Sequence, residues 1–358
     1  MDVVSFAVYK VKTALIRSAK LFVLRSFRYL KTMEIVNLNA IEDAAERIKG
    51  HVHLTPVMTC GMMDKMAPGR NLYFKCELLQ KTGSFKIRGA LNAVSRLVEG
   101  VAEDQEKPKV VTHSSGNFGQ SLAFAAKLKG LDAYIVMPET APQCKVKAVK
   151  GYGAEVIRCK PTEESRRTTG EEVQRRTGAH FFSPSQTYDV IAGQGTIGLE
   201  LLEQVSGLDA VIVPVGGGGM ISGIAAAVKS KNPAIKVFAA EPQNADDCFR
   251  SFQAKKLIPL PPGPVDTVAD GLRVSIGEST WPIIEKYVDD VITVTENEIK
   301  DATRYIWQFM KLFIEPSAGV GVAAALSQEF SQKSQDLKNV AVILCGGNVD
   351  VDSVKHWL

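Results

Sequence analysis

The chain has 358 residues, 45% hydrophobic and 23% charged, enough for a large buried core and for two domains. Its six cysteines (Cys60, Cys76, Cys144, Cys159, Cys248, Cys345) include no CxxC pair and no His-rich ligand spacing. That argues against a disulfide framework and a zinc site, and for reduced thiols in an intracellular compartment. The net charge of +4 is concentrated at the front: residues 1–33 hold seven of the 43 basic side chains and one of the 39 acidic ones, leaving 36 (43 less 7) against 38 (39 less 1). A body so close to neutral offers no basic surface for nucleic acid.

The first segment spreads Lys10, Lys12, Arg17, Lys20, Arg25, Arg28 and Lys31 among apolar residues. This fits a mitochondrial-type presequence or a membrane-surface helix better than a secretory signal, which needs an uninterrupted apolar core. Met33 opens "MEIVNLNAIEDAAERI", a sensible helix start, so within a basic N-terminal extension over 1–35 the first 32 residues read better still as an isoform or gene-model extension than as either of these. The compartment expected is the cytoplasm, or the mitochondrion if residues 1–32 act as a presequence. No apolar run approaches the roughly 18 residues that a membrane span needs.

From residue 36 onward, β-type runs at 71–76, 109–113, 132–137, 154–159, 210–215, 235–240, 291–294 and 340–344 alternate with amphipathic stretches at 85–98, 117–130, 143–151, 219–231, 296–311 and 317–330. Such alternation predicts an α/β fold with mostly parallel sheets. Ligands of open α/β sheets sit beyond the carboxyl ends of the strands. Three of those ends run into "SSGNFGQ", "GGGGM" and "CGGN".

Gly216, Gly217, Gly218, Gly219 and Met220 follow the run "AVIVPV" and open a helix, so their N–H groups and the helix start form a phosphate cup; a plain tight turn is the alternative. The run is neither a GxGxxG fingerprint nor a Walker loop. In "KTGSFKIRGALNA" (81–93), Phe85 offers a flat face for a ring and Lys86 begins a helix. Burial beside a cationic helix start and Arg88 is expected to lower the Lys86 pKa from its usual ~10.4, as a Schiff-base lysine requires. In "HSSGNFGQ" (113–120), backbone N–H groups at the turn suit a carboxylate, and Asn117 can donate to an aromatic oxygen; the serines would also serve as helix caps.

Together these residues resemble the fold-type II pyridoxal-phosphate enzymes, and within them the serine racemase and serine/threonine dehydratase family. The resemblance covers roughly residues 36–355 through "FKCELLQKTGSFKIRGALNAV", "THSSGN", "YIVMPETAP", "VIAGQGTIGLE", "VPVGGGGM", "AAEPQNADDC", "IEPSAGVGVAA" and "CGGNVD". It implies two open, twisted, mostly parallel sheets, with a large domain from 36–108 and 187–358 and a smaller inserted domain at 109–186. It implies Lys86 as the Schiff-base lysine, Phe85 backing the ring, Asn117 donating to the ring hydroxyl, Cys345 beside the ring nitrogen, and the glycine run with Met220 as the phosphate cup. Ser115 matches the serine on the opposite face of the substrate from Lys86. Ser114 and Gly116 match the carboxylate loop, and Arg166 and Ser185 the surroundings of the substrate side chain.

The same resemblance implies a Mg²⁺ or Ca²⁺ site at Glu241, the Ala245 carbonyl and Asp247. It also implies ATP at a dimer interface through Lys81, Thr82, Gln120, Ala148, Tyr152, Lys311 and Asn348, and hence a homodimer. The activity implied is racemisation of a small amino acid, L- to D-serine, with β-elimination to pyruvate and ammonia. Alternatives are an aspartate or glutamate racemase, a dehydratase of L-serine or L-threonine, and a catalytically silent relative. The chain ends soon after "CGGN", which matches a form without a regulatory domain.

Three departures from the family pattern stand out. Cys345 replaces the usual Ser; neither can protonate the ring as an aspartate would, which discourages transamination. Phe118 replaces the common His. "SPSQTYDV" (183–190) replaces a loop closer to His-Pro-Asn-Gln, and Arg167 stands where an acid is usual. Ser183, Ser185, Arg166 and Arg167 would suit a substrate with a second carboxylate.

Overall fold

Eight of the apolar runs become strands because each is short, rich in β-branched or aromatic residues and bounded by turn residues. The structure, a computed structural model, describes residues 35–102, 104–114, 116–141 and 143–355; the extension at 1–34 and Ser115 lie outside the described residues. The strands are β1 (Val57–Met58), β2 (Asn71–Lys75), β3 (Val110–His113), β4 (Ala133–Pro138), β5 (Glu155–Cys159), β6 (His180–Phe181), β7 (Ala210–Pro214), β8 (Lys236–Pro242), β9 (Asp290–Val294) and β10 (Asn339–Ile343). β1 and β6, two residues each, are the pair that the sequence did not announce.

One sheet runs β1-β2-β10-β7-β8-β9 and the other β5-β4-β3-β6. Every pairing is parallel except the antiparallel edge pair β1 and β2. All five residues of β7 are buried, as expected of a central strand covered by helices on both faces. The four strands of the second sheet lie within 109–186. Their core also takes in Ile87, Ala90, Leu91, Ala93 and Val94 of the helix Lys86–Val98, which the sequence reading grouped with the large domain.

The helix Tyr188–Gln204 is the longest described, yet it has no clean amphipathic stripe, because it is buried on several sides. Its glycines explain how. A Cβ on Gly193 would lie 2.6 Å from the Arg88 carbonyl oxygen, and one on Gly195 2.9 Å from that of Gly223. Reciprocally, a Cβ on Gly89 would lie 2.6 Å from the Val190 carbonyl and one on Gly223 2.4 Å from the Ile191 carbonyl. The helices Lys86–Val98 and Gly219–Lys231 therefore both dock on Tyr188–Gln204 backbone against backbone. The stretch expected as one helix at 296–311 is an α-helix, Glu296–Tyr305, followed by a π turn, Ile306–Met310, and a left-handed Lys311 with φ 59°.

Candidate active site

The carboxyl end of β10 is lengthened by the segment that leads to Lys86. Leu78 N–H donates to Leu344 O (3.0 Å), Phe85 N–H to Cys345 O (3.1 Å) and Gly347 N–H to Gly83 O (2.9 Å), and Ser84 bridges to Gly346. This strap sets Lys86 beside Cys345 at the start of its helix. The Lys86 ammonium donates to Pro184 O at 3.2 Å and lies 4.9 Å from the centre of the Phe85 ring. Burial pushes its pKa down to about 8. Arg88 has no part in that shift, contrary to the sequence expectation, because its charge is neutralised elsewhere: its guanidinium forks onto Glu77 (2.8 and 2.8 Å) and onto Glu200 (2.7 and 2.8 Å).

The 183–186 loop lies between Lys86 and the glycine run. A Cβ on Gly217 would sit 2.3 Å from Ser185 Oγ, and one on Gly219 2.9 Å from Ser185 Cα. Gln186 holds the loop there by donating from Nε2 to Gly217 O (2.9 Å) and accepting at Oε1 from Ser279 N–H (3.1 Å). Gly218, at φ 80°, is the N-cap of the helix Gly219–Lys231 and supplies no side-chain cap. The first N–H groups of that helix are thus offered to a ligand at a place where side chains are excluded, which fits a phosphate.

On the other wall, Ser114 N–H donates to Val136 O (3.0 Å) and its Oγ accepts from Gly116 N–H (3.3 Å), shaping the turn into the helix Asn117–Lys129. The Asn117 carboxamide donates to both oxygens of Glu315 at 3.0 Å and accepts from Asn348 Nδ2 at 2.9 Å. Glu315 is 4% exposed, and burial, with Asp270 nearby, pushes its carboxyl up to about 7. Cys345 Sγ lies 3.9 Å from Glu315 Oε1, and burial holds its thiol well above the ordinary value, so it stays protonated.

Of the substrate residues, Arg166 reaches the carboxyl edge of the small sheet. Its charge helps burial to lower the pKa of His113 at the end of β3, and its Nε is buried without a hydrogen-bond partner. Arg167 does not join it: this side chain is exposed and pairs with Glu171 at 2.7 Å. A step of one residue along a helix rotates the side chain by about 100°, so the extra positive charge expected in the pocket is absent from it. Phe118 packs with Leu122 and Ile135 in the core of the small sheet.

Glu241, at the end of β8, accepts from Cys248 N–H (3.2 Å) and Phe249 N–H (2.8 Å), and Asp247 accepts from Ile276 N–H (2.8 Å). Burial pushes both carboxyls up, Asp247 to about 7, and each shift at Glu241 is deepened by Asp247. The Cys248 thiol is buried beside them, and burial with the two carboxyls holds it protonated. Among the described residues no group of three or more His, Cys, Asp or Glu is placed to hold a metal.

Of the residues matched to ATP, Thr82 O accepts from Asn348 Nδ2 (2.7 Å) and Thr82 Oγ1 meets Ser121 Oγ (2.9 Å), next to the buried Gln120. Tyr152 N–H donates to Ala148 O, and its ring stands edge-on to Phe124 of the same helix as Gln120. Lys81 shares the turn with Thr82, whereas Lys311 is exposed and bonds Gln308 O of its own turn.

Residues 48–346 match the model of the pyridoxal-phosphate dependent enzyme family. The chain is 55% identical to the serine racemase of Homo sapiens, over 89% of this chain and 93% of that one. The chain belongs to the serine racemase family. Among solved structures, maize serine racemase superposes with a TM-score of 0.85 at 45% identity, covering 90% of this chain and 96% of that one. A pyridoxal 5'-phosphate-dependent aspartate racemase superposes with a TM-score of 0.84 at 45% identity, covering 88% and 97%.

Beside Lys86, the glycine run and Asn117, the geometry adds residues that the motifs did not single out. Gln186 and Thr280 clamp the glycine loop through Gly217 O, at 2.9 and 3.2 Å. Glu315 was in view within "IEPSAGVGVAA" but unassigned; a carboxylate at a helix start ahead of proline reads as an ordinary cap.

Proposed function

We propose that this protein interconverts L- and D-serine with pyridoxal phosphate and releases some product as pyruvate and ammonia. The observation that carries the reading is the Lys86 amine, brought to about 8 and set across the 183–186 loop from a glycine run closed to side chains. When bound, the cofactor supplies an electron sink that acidifies the α-proton. Gly216, Gly217, Gly218, Gly219 and Met220 would hold its phosphate, Asn117 its ring hydroxyl, and Phe85 its face. Cys345, a neutral thiol, offers the ring nitrogen a weak hydrogen bond rather than a proton. Lys86, partly deprotonated near pH 8, takes or gives the α-proton on one face. Ser115 is read as its counterpart on the other, with Ser114, Gly116, Arg166 and Ser185 around the substrate.

Purified protein given L-serine, D-serine, L-aspartate, L-glutamate and L-threonine, with chiral analysis and a pyruvate assay, tests the proposal. D-Serine from L-serine is expected. A colourless protein that gains no absorbance with added pyridoxal phosphate would refute it. Aspartate is the second reading, favoured by the buried unpartnered Nε of Arg166 and the hydroxyls of Ser183 and Ser185. The exposed, paired Arg167 adds nothing to it.

The reading includes a Mg²⁺ or Ca²⁺ ion at Glu241, the Ala245 carbonyl and Asp247. The all-oxygen donor set fits either ion, and a divalent charge would relieve two buried carboxyls that raise one another's energy. It includes ATP at Lys81, Thr82, Gln120, Ala148, Tyr152, Lys311 and Asn348. Thr82 and Lys311 are two of three non-glycine residues with positive φ among the described residues, a strain that collects at ligand sites. A homodimer is supported by exposed Leu54, Leu79 and Phe313, whose segments touch: His53 Nδ1 meets Leu79 O, and Gly347 packs between Leu78 and the Phe313 carbonyl. The split into a 36–108 plus 187–358 domain and a 109–186 domain, and a cytoplasmic setting, complete it. No described helix is long and apolar enough to cross a membrane.

A further inference from the structure

Glu315 stands at the N-cap position of the helix Pro316–Leu326, where a carboxylate ordinarily bonds its own helix's free N–H groups; here it makes no such cap. The carboxyl turns instead into the cofactor pocket. Its backbone N–H is pinned to Gly346 O (2.9 Å), and Gly346 must be glycine to admit it, since a Cβ there would lie 2.7 Å from Oε1. Both oxygens receive Asn117 Nδ2, while Asn117 Oδ1 receives Asn348 Nδ2, which is itself anchored on Thr82 O. A reversed Asn117 carboxamide would set oxygen against a carboxylate and NH₂ against NH₂, so Glu315 and Asn348 together dictate its orientation. The fork uses one N–H direction of an amide that carries two, leaving the second for a ligand.

We propose that Glu315 is a positioning residue for the cofactor: it fixes which face of the Asn117 carboxamide meets the ring hydroxyl. This rests on the pyridoxal-phosphate reading above. The groups that face Glu315 are Lys86 and Cys345 within the pocket, and Asp270 and Lys145, which pair with each other at 2.8 Å. Burial and Asp270 raise the Glu315 carboxyl to about 7; at Lys86 burial favours loss of the proton, and Cys345 first and an ionised Glu315 second oppose it. Below that range Glu315 is neutral and exerts no such hold.

The test is the rate and affinity with which cofactor-stripped protein captures pyridoxal phosphate, followed by visible absorbance from about pH 6 to about pH 9. Glu315→Gln keeps the shape and removes the charge. It should capture cofactor about three- to tenfold faster than wild type between roughly pH 7 and 9, and at the same rate near pH 6. Its affinity should fall at every pH, because Gln can face Asn117 in either orientation. Asp270→Asn, on the surface side of the pair, should leave Glu315 ionised to lower pH and so capture cofactor more slowly than wild type between about pH 6 and 7. Superimposable curves for wild type and Glu315→Gln overturn the proposal, and so does an unmoved Asp270→Asn curve, which decides the matter alone if Glu315→Gln fails to fold. A wild type that captures no cofactor refutes the pyridoxal-phosphate reading instead.

Discussion

Replacing Arg88 by methionine should cost this protein much of its stability while leaving Lys86 able to hold its cofactor. The guanidinium is fully buried, forks onto both Glu77 and Glu200, and adds a bond to Thr196 Oγ1 at 3.3 Å. Its loss strands Glu77, which is 0% exposed and retains the Thr55 hydroxyl at 2.5 Å. Breaking a buried pair from one side costs about 3 to 5 kcal/mol. Lys75, buried and 2.6 Å from Glu200, offsets part of this, so about 3 kcal/mol is the expectation. Urea unfolding followed by circular dichroism measures it, and the Glu77→Gln, Arg88→Met double variant completes a cycle in which the double should cost less than Arg88→Met alone.

The pH dependence supplies a second check. Burial alone would raise the Glu77 pKa, but Arg88 outweighs it and holds the carboxyl below its ordinary value. The pair's contribution is therefore present at neutral pH and lost as the pH falls through that depressed value. Wild type and Arg88→Met should converge in acid. A loss under about 1 kcal/mol, or a double variant less stable than the single, would refute the reasoning.

Lys86→Ala should abolish both turnover and the visible absorbance of lysine-bound cofactor, read by spectrophotometry on the purified variant. Ser115→Ala should bind pyridoxal phosphate normally and lose D-isomer formation by well over tenfold, while pyruvate release from L-serine persists because Lys86 alone can take that proton; near-wild-type racemisation would reject the two-base scheme. Asp247→Ala should lose the sensitivity to chelators expected of the wild type, by melting temperature and by activity with Mg²⁺ or Ca²⁺ restored.

Periodicity located every long strand and the helices at 86–98, 117–129 and 219–231, because short apolar runs ending in glycine turns have few other structures open to them. It passed over the helix Glu163–Thr177, which buries only Gly170 and Val173 fully and so shows almost no apolar stripe. It passed over Tyr188–Gln204 for the opposite reason, a helix apolar on most sides with three interior glycines that local propensity disfavours. At the site, Lys86 and the glycine run were legible because each lies in a continuous motif at the start of a helix, even though the groups they meet, Pro184 and Ser185, are far away in sequence. Glu315 was not, since its partners Asn117 and Cys345 lie 198 and 30 residues away. Arg167 misled for a related reason: adjacency to Arg166 in sequence is not adjacency on a helix.

The glycine contacts among the three central helices also bear on how this site tolerates change. One helix begins at Lys86, another at the glycine run, and both approach the backbone of Tyr188–Gln204 through glycines that leave no room for a methyl group. Tyr188–Gln204 thus works as a ruler for the span between Lys86 and the glycine run. A methyl group added at Gly193 or Gly223 would push one of these helices outward, and the two anchors proposed for the cofactor would no longer keep their spacing.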